Sequence, residues 1–245
     1  MMQAATPVAS KTRSKCLFSY YGAKSKLVRH YPPPQHDLII EPFAGAANYA
    51  LRFHERHVLL NELNPRTWNI WNYLLRTSIE RVLAEIPLTV VKGQQVSDLV
   101  AKDADPGLVE IMRANCNMGS AGAQVSETVT WFAERKWPNV HQRLTHFLPK
   151  IAHWVLLPRG DYSQVQWHDA TWFIDPPYQQ IGKAKPYTFH DIDYEVLARW
   201  CRSRRGQVIV CENDGAQWLP FEPLTSAQSR GNTAPSHEAV WTRSG

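Results

Sequence analysis

Asp175-Pro176-Pro177-Tyr178 follows directly on the apolar run Trp172-Phe173-Ile174. Ligands of open α/β sheets gather at the carboxyl ends of strands, which is where this tetrapeptide falls. Pro176 keeps Asp175 out of the helical region, and two successive prolines withhold two backbone donors. The result is a stiff turn offering a carboxylate, bare carbonyl oxygens and an aromatic ring. It suits an amino group with two N–H donors to satisfy. An exocyclic nucleobase amine is a poor nucleophile because its lone pair is delocalised into the ring. If Asp175 and the Pro176 carbonyl each accept one N–H, the nitrogen can pyramidalise and aim that lone pair at an electrophile, with Tyr178 stacked on the base. A proline-rich strand exit with an ordinary exposed Asp fits the same four residues.

Two further clusters follow strands of the same kind. Glu41-Pro42-Phe43-Ala44-Gly45-Ala46-Ala47-Asn48 comes after Leu38-Ile39-Ile40. Small residues at such a turn let the backbone approach a ligand at the next helix N-terminus, or simply pack a tight turn. Glu62, in Asn61-Glu62-Leu63-Asn64, ends the run Val58-Leu59-Leu60, 21 residues after Glu41. An acid placed there takes ribose hydroxyls, or caps the next helix. Together the clusters would line one nucleoside-sized pocket. No GxxxxGK[ST], HExxH or GxSxG occurs, so a P-loop, a zincin and an α/β-hydrolase elbow are not indicated.

The elements that must position these residues alternate. Short apolar runs bounded by turns read as buried parallel strands, and Val208-Ile209-Val210 adds a fourth after a helix-like segment from Tyr194 to Arg204. A strand-like His237 to Thr242 closes the pattern. Strands alternating with helices predict an α/β fold: a twisted, mostly parallel sheet with helices on both faces. Between Glu62 and Thr171 lie 108 residues, against the ~30 of one strand-helix-strand unit, so a mainly helical region is inserted at about 70–150. Trp68, Trp71, Leu75, Ile79, Val82 and Ile86 predict one long amphipathic helix there. Asp105-Pro106 predicts a helix start, Asn139 a cap, and Pro149 a helix end. Thr225 to Ser236 reads as a mobile loop, in which Arg230 would reach a phosphate.

At this point the chain resembles the Dam-type DNA N6-adenine methyltransferases, from about residue 16 to 242. Phe18-Ser19-Tyr20-Tyr21-Gly22-Ala23-Lys24, Glu41 to Leu51, Asn61 to Asn64 and Asp175 to Tyr178 look like that family's motifs, in its order. The resemblance implies a Rossmann-like methyltransferase domain, formed by 15–69 and 151–245, with the 70–150 insertion as target-recognition region and 1–14 as a flexible tail. It implies that S-adenosyl-L-methionine is the methyl donor, without a metal, and that Tyr20 (where the family usually has Trp), Lys24, Phe43, Ala44, Gly45, Glu62 (where it usually has Asp) and Asp175 bind it. Asp175, Pro176 and Tyr178 would be catalytic. Ala47 replaces a family glycine. Asp161-Tyr162-Ser163 would flank the cofactor's adenine, and Asn115, Asn117 and Gly119 would contact DNA. The implied reaction is methylation of adenine N6 in double-stranded DNA, with the base flipped out at a cost of roughly a few kcal/mol. The same chemistry on RNA adenine or cytosine N4, or a silent nucleic-acid-binding relic, remains open.

Composition bounds the reading. Of 245 residues 44% are hydrophobic and 20% charged, which suffices for a core and excludes disorder. No apolar run approaches the ~18 residues of a membrane span, and the N-terminal residues lack a signal peptide's apolar stretch, so a soluble cytoplasmic protein without a membrane partner is expected. Cys16, Cys116, Cys201 and Cys211 show no CxxC spacing, and no metal site is indicated. The net charge of +5 is unevenly spread. Lys11 to Tyr31 carries basic residues and no acid, Arg199 to Arg205 is Arg-rich, and Arg135, Lys136, Arg143, Lys150 and Arg159 are interleaved with tryptophans. Basic and aromatic residues together suit nucleic acid, and Lys136, Arg143 and Arg230 are the candidate DNA contacts. Solvated helix faces explain any one cluster equally well.

Overall fold

The computed structural model describes residues 16–116, 125–166, 168–179, 191–228 and 235–245. Among the described residues seven strands form one sheet: β1 (Leu38–Glu41), β2 (His57–Leu60), β3 (Val155–Leu156), β4 (Asp169–Ile174), β5 (Arg205–Asn213), β6 (Glu222–Gln228) and β7 (Pro235–Arg243). Their order is β3-β2-β1-β4-β5-β7-β6. β1 to β5 run parallel, and β7 pairs antiparallel with both β5 and β6. The order reverses between the neighbours β1 and β4, and a crevice opens beyond their carboxyl ends at such a point.

Helices cover both faces, as strand alternation requires. Ile39, Val58, Leu60, Phe173, Ile209 and Cys211 point to one side, where they pack with α1 (Asn48–Arg52), α2 (Pro65–Arg76), α5 (Pro106–Cys116) and α7 (Pro138–Ile151). Ile40, Trp172, Ile174, Val208 and Val210 point to the other, against Leu197, Ala198 and Cys201 of α8 (Tyr194–Ser203). The sheet is thus the mostly parallel Rossmann-like sheet expected. Val82 of α3 (Ile79–Glu85), Val96 of α4 (Val96–Leu99) and Ala133 of α6 (Trp131–Lys136) join the first cluster, so the inserted helices share one continuous core with the sheet. Gly107 permits α5 to cross α2: a Cβ there would lie 2.2 Å from the Asn69 carbonyl oxygen.

Three local expectations are corrected. The apolar spacing from Trp68 to Ile86 is not one helix: Thr77 is extended and Ser78 caps α3, its side chain accepting the Arg81 N–H at 3.3 Å. Asn139 lies inside α7, which begins at Pro138 and passes through Pro149 to Ile151. The polar stretch from Thr225 is strand as far as Gln228 and again from Pro235, and Arg230 lies outside the described residues. The predicted start at Asp105 holds, its carboxylate accepting the Gly107 N–H at 2.7 Å.

Candidate active site

Glu62 organises the end of β2. It is 7% exposed, its Oε2 accepts the Gly45 N–H and its Oε1 the Asn64 N–H, both at 2.9 Å. Burial raises its pKa, opposed by the backbone N–H groups of Asn64, Gly45 and Leu63. The carboxylate, with about four acceptor sites, keeps room for a further donor. Gly45 lies at φ +47, and a Cβ on it would come within 2.9 Å of the Tyr20 ring, so glycine lets this turn close on the aromatic. Trp71, fully buried, fixes the same turn by donating its indole N–H to the Gly45 carbonyl at 2.8 Å. Ala47, where the resemblance implies a glycine, adopts φ 46, the left-handed conformation that a glycine takes at little cost. Glu41, at the end of β1, accepts the Ala50 N–H of α1 at 2.7 Å. It satisfies one of the donors left over at that helix's start.

At the carboxyl end of β4, Asp175 Oδ1 lies 3.2 Å from Lys24 Nζ, with the Asp175 side chain 22% exposed. Burial pushes the Asp175 carboxyl up to about 6, opposed by Lys24 and reinforced by Glu238. The turn after it is held from outside: Tyr194 donates its hydroxyl to the Pro177 carbonyl at 2.7 Å, and Glu212 accepts the Gln179 N–H at 3.1 Å.

A cavity of about 320 Å³ joins these strand ends. Tyr20, Lys24, Phe43, Ala44, Gly45, Glu62, Asp161, Tyr162 and Asp175 all line it, so the structure brings together the expected cofactor-side residues around one space. Phe43 and Tyr162 stack at 5.2 Å, forming an aromatic wall near Asp161. Pro176 and Tyr178 do not line the cavity. Tyr178 instead donates its hydroxyl to Glu238, and Lys24 Nζ sits 4.5 Å over its ring.

Other expected contacts are placed differently. Asn115 is fully buried, accepting the Ser19 N–H at 3.3 Å and donating to the Ile111 carbonyl at 2.9 Å. It ties α5 to the segment carrying Tyr20 and cannot read a base edge. Asn117 and Gly119 lie outside the described residues. Arg143 is half-buried on α7, and burial lowers its pKa, so its guanidinium does not stand on an open surface. Lys136 ends α6 near the Phe132 ring. Sequence reasoning missed Glu238 and Tyr31 altogether. Nothing local marks either one, because their contact spans 207 residues of chain. Among the described residues, no group of three or more His, Cys, Asp or Glu side chains is arranged to hold a metal, and no helix is long and apolar enough to cross a membrane.

Residues 20–99 match the family described as D12 class N6 adenine-specific DNA methyltransferase. The match spans Tyr20, Lys24, Phe43 to Gly45 and Glu62, and bears out the resemblance to Dam-type enzymes. No curated protein matches the chain. Solved structures similar to it include a conserved hypothetical protein from Streptococcus pyogenes, 12% identical, with 84% of each chain covered and a TM-score of 0.33. Another is the rRNA methyltransferase aviRa from Streptomyces viridochromogenes, 10% identical, with 88% of this chain and 81% of that one covered and a TM-score of 0.41. The strand order is that of a Rossmann-like α/β sheet, and the family match covers residues 20–99 and stops short of Asp175 to Tyr178.

Proposed function

We propose that this chain transfers a methyl group from S-adenosylmethionine to the N6 amine of adenine in double-stranded DNA. The observation that carries the reading is that Asp175 and Glu62, on separate strands, open onto one cavity beyond the point where the strand order reverses. The family match supports the substrate class.

The residues fit the donor molecule. A cavity of about 320 Å³ is within the ~300–1,000 Å³ typical of ligand pockets. In this reading Glu62 holds the ribose diol through its remaining lone pairs, Phe43, Asp161 and Tyr162 border the adenine, and Tyr20, Lys24 and the backbone of Ala44 and Gly45 hold the amino-acid end. Bound S-adenosylmethionine supplies an electrophilic methyl on sulfonium, so the N6–C bond forms as the S–C bond breaks and a neutral thioether leaves.

The chain's own part is alignment and proton handling. Asp175 accepts one N6–H and the Pro176 carbonyl the other, which frees the nitrogen lone pair. Tyr178 flanks the base. After transfer N6 is cationic, and its proton passes to Asp175 and on to water. The helices of 70–150, through Lys136 among others, together with Arg230, grip DNA phosphates and expose the base. Purified protein incubated with methyl-labelled donor and separate duplex DNA and RNA, followed by mass analysis of the nucleosides, tests this. N6-methyladenine from DNA is expected. A product on RNA or on cytosine alone, or none, overturns the reading.

A further inference from the structure

One oxygen of one buried carboxylate ties together three groups around Asp175. Glu238, 2% exposed on β7, accepts the Tyr31 hydroxyl at 2.6 Å and the Tyr178 hydroxyl, with Lys24 Nζ 3.5 Å away, all at Oε1. Topology makes this possible. β7 runs antiparallel to β5, so its first residues lie at the sheet's carboxyl edge, and Glu238 pairs with Asn213 at the end of β5. Tyr31 in turn packs edge-on against Phe173 of β4 at 5.1 Å. Tyr178, following two prolines, is otherwise on a turn. Its hydroxyl anchor fixes the ring to the sheet, while the shared ammonium fixes Lys24 between two acids.

We propose that Glu238 is a positioning residue for the transfer reaction, holding the Tyr178 ring and the Lys24 ammonium above it in place beside Asp175. The inference rests on the function proposed above. Glu238 does not line the cavity and acts through its partners. Its charge also bears on Asp175, which is faced by Lys24, Glu238, Tyr178 and Tyr31, by Glu41 from β1, and by Cys211 and Glu212 from β5. Removing the Glu238 charge takes away a like charge, and Asp175 ionises more easily.

The test compares Glu238→Gln, Tyr178→Phe and the double variant. Glu238→Gln keeps an acceptor for the hydroxyls and loses the charge. Tyr178→Phe keeps the ring and loses the anchor. Each single variant should lower kcat about tenfold, the loss of a hydrogen bond to a charged group, with KM for S-adenosylmethionine little changed in Tyr178→Phe and raised in Glu238→Gln, which loosens Lys24. The double variant should lose less than the product of the two single losses, because the Glu238–Tyr178 contact is weakened in both. In Glu238→Gln the acid limb of the pH profile should move to lower pH, which a general loss of packing does not produce. Multiplicative losses with an unmoved acid limb overturn the proposal. So does wild-type kcat in Tyr178→Phe, which decides the matter should Glu238→Gln fail to fold.

If the wild-type protein transfers no methyl group, the proposed function fails by itself. The network is then read in the free protein by carboxyl carbon NMR. A lower Asp175 midpoint in Glu238→Gln supports it, and an unchanged one rejects it.

Discussion

Lys24 Nζ lies 3.2 Å from Asp175 Oδ1 and 3.5 Å from Glu238 Oε1, one ammonium shared by two carboxylates. Counting formal charges, the trio is one cation short. Such a place favours a positively charged ligand, and a sulfonium is one. Without that ligand, Asp175 holds its proton more firmly than an exposed aspartate does.

The first prediction concerns pH. The Asp175 carboxyl is raised from 3.8 to about 6 in the folded protein. Between those values the folded state binds more protons than the unfolded state, so stability falls as pH rises through that window, and the penalty is complete above it. Asp175→Asn removes the penalty. Its melting temperature should exceed that of wild type at pH 8 and match it near pH 4. A difference that is constant with pH would contradict the assignment. Methyl transfer by the wild type should fall as pH drops below about 6.

Asp175→Ala should lower kcat at least about 100-fold, the scale on which a group aimed at the reacting atoms acts. The circular dichroism spectrum should be unchanged, since Lys24 retains Glu238. Full activity in this variant refutes the role given to Asp175.

Glu62→Ala strands the buried Gly45 and Asn64 N–H groups and removes the acid expected to meet the ribose. A loss of about 2 kcal/mol in stability is expected, each unsatisfied donor costing ~1–3 kcal/mol less the gain from unburying a carboxylate. Cofactor affinity by titration calorimetry should weaken at least about tenfold. Unchanged affinity would move the ribose elsewhere.

Ala47→Gly should stabilise the protein. A left-handed alanine costs roughly 1–2 kcal/mol, and glycine's greater freedom when unfolded returns part of that. A net gain of about 0.5 kcal/mol, read from the urea midpoint at constant slope, is expected. A loss would mean that the Ala47 methyl packs better than its backbone is strained.

Much of this was legible in the sequence because it is local. β1, β2, β4 and β5 announce themselves as apolar runs buried on both faces, and the acids that follow them land at the sheet's carboxyl edge. β3 escaped because two residues, one of them half-exposed Val155, make no run. The break at Thr77–Ser78 was hidden because apolar spacing continues across it, and only the serine cap marks the restart. Lys24 was found by motif, but its division between Asp175 and Glu238 is long-range. Periodicity does not encode which strand will end beside which loop.

The late position of β7 bears on synthesis. A chain leaving the ribosome presents Lys24, Glu62 and Asp175 well before Glu238 has been made, and β7 must then insert alongside β5, with β6 on its outer edge, to seat it. Until that insertion, the Tyr178 hydroxyl lacks its anchor. A nascent chain should therefore acquire the outline of the pocket before it acquires the alignment needed for turnover.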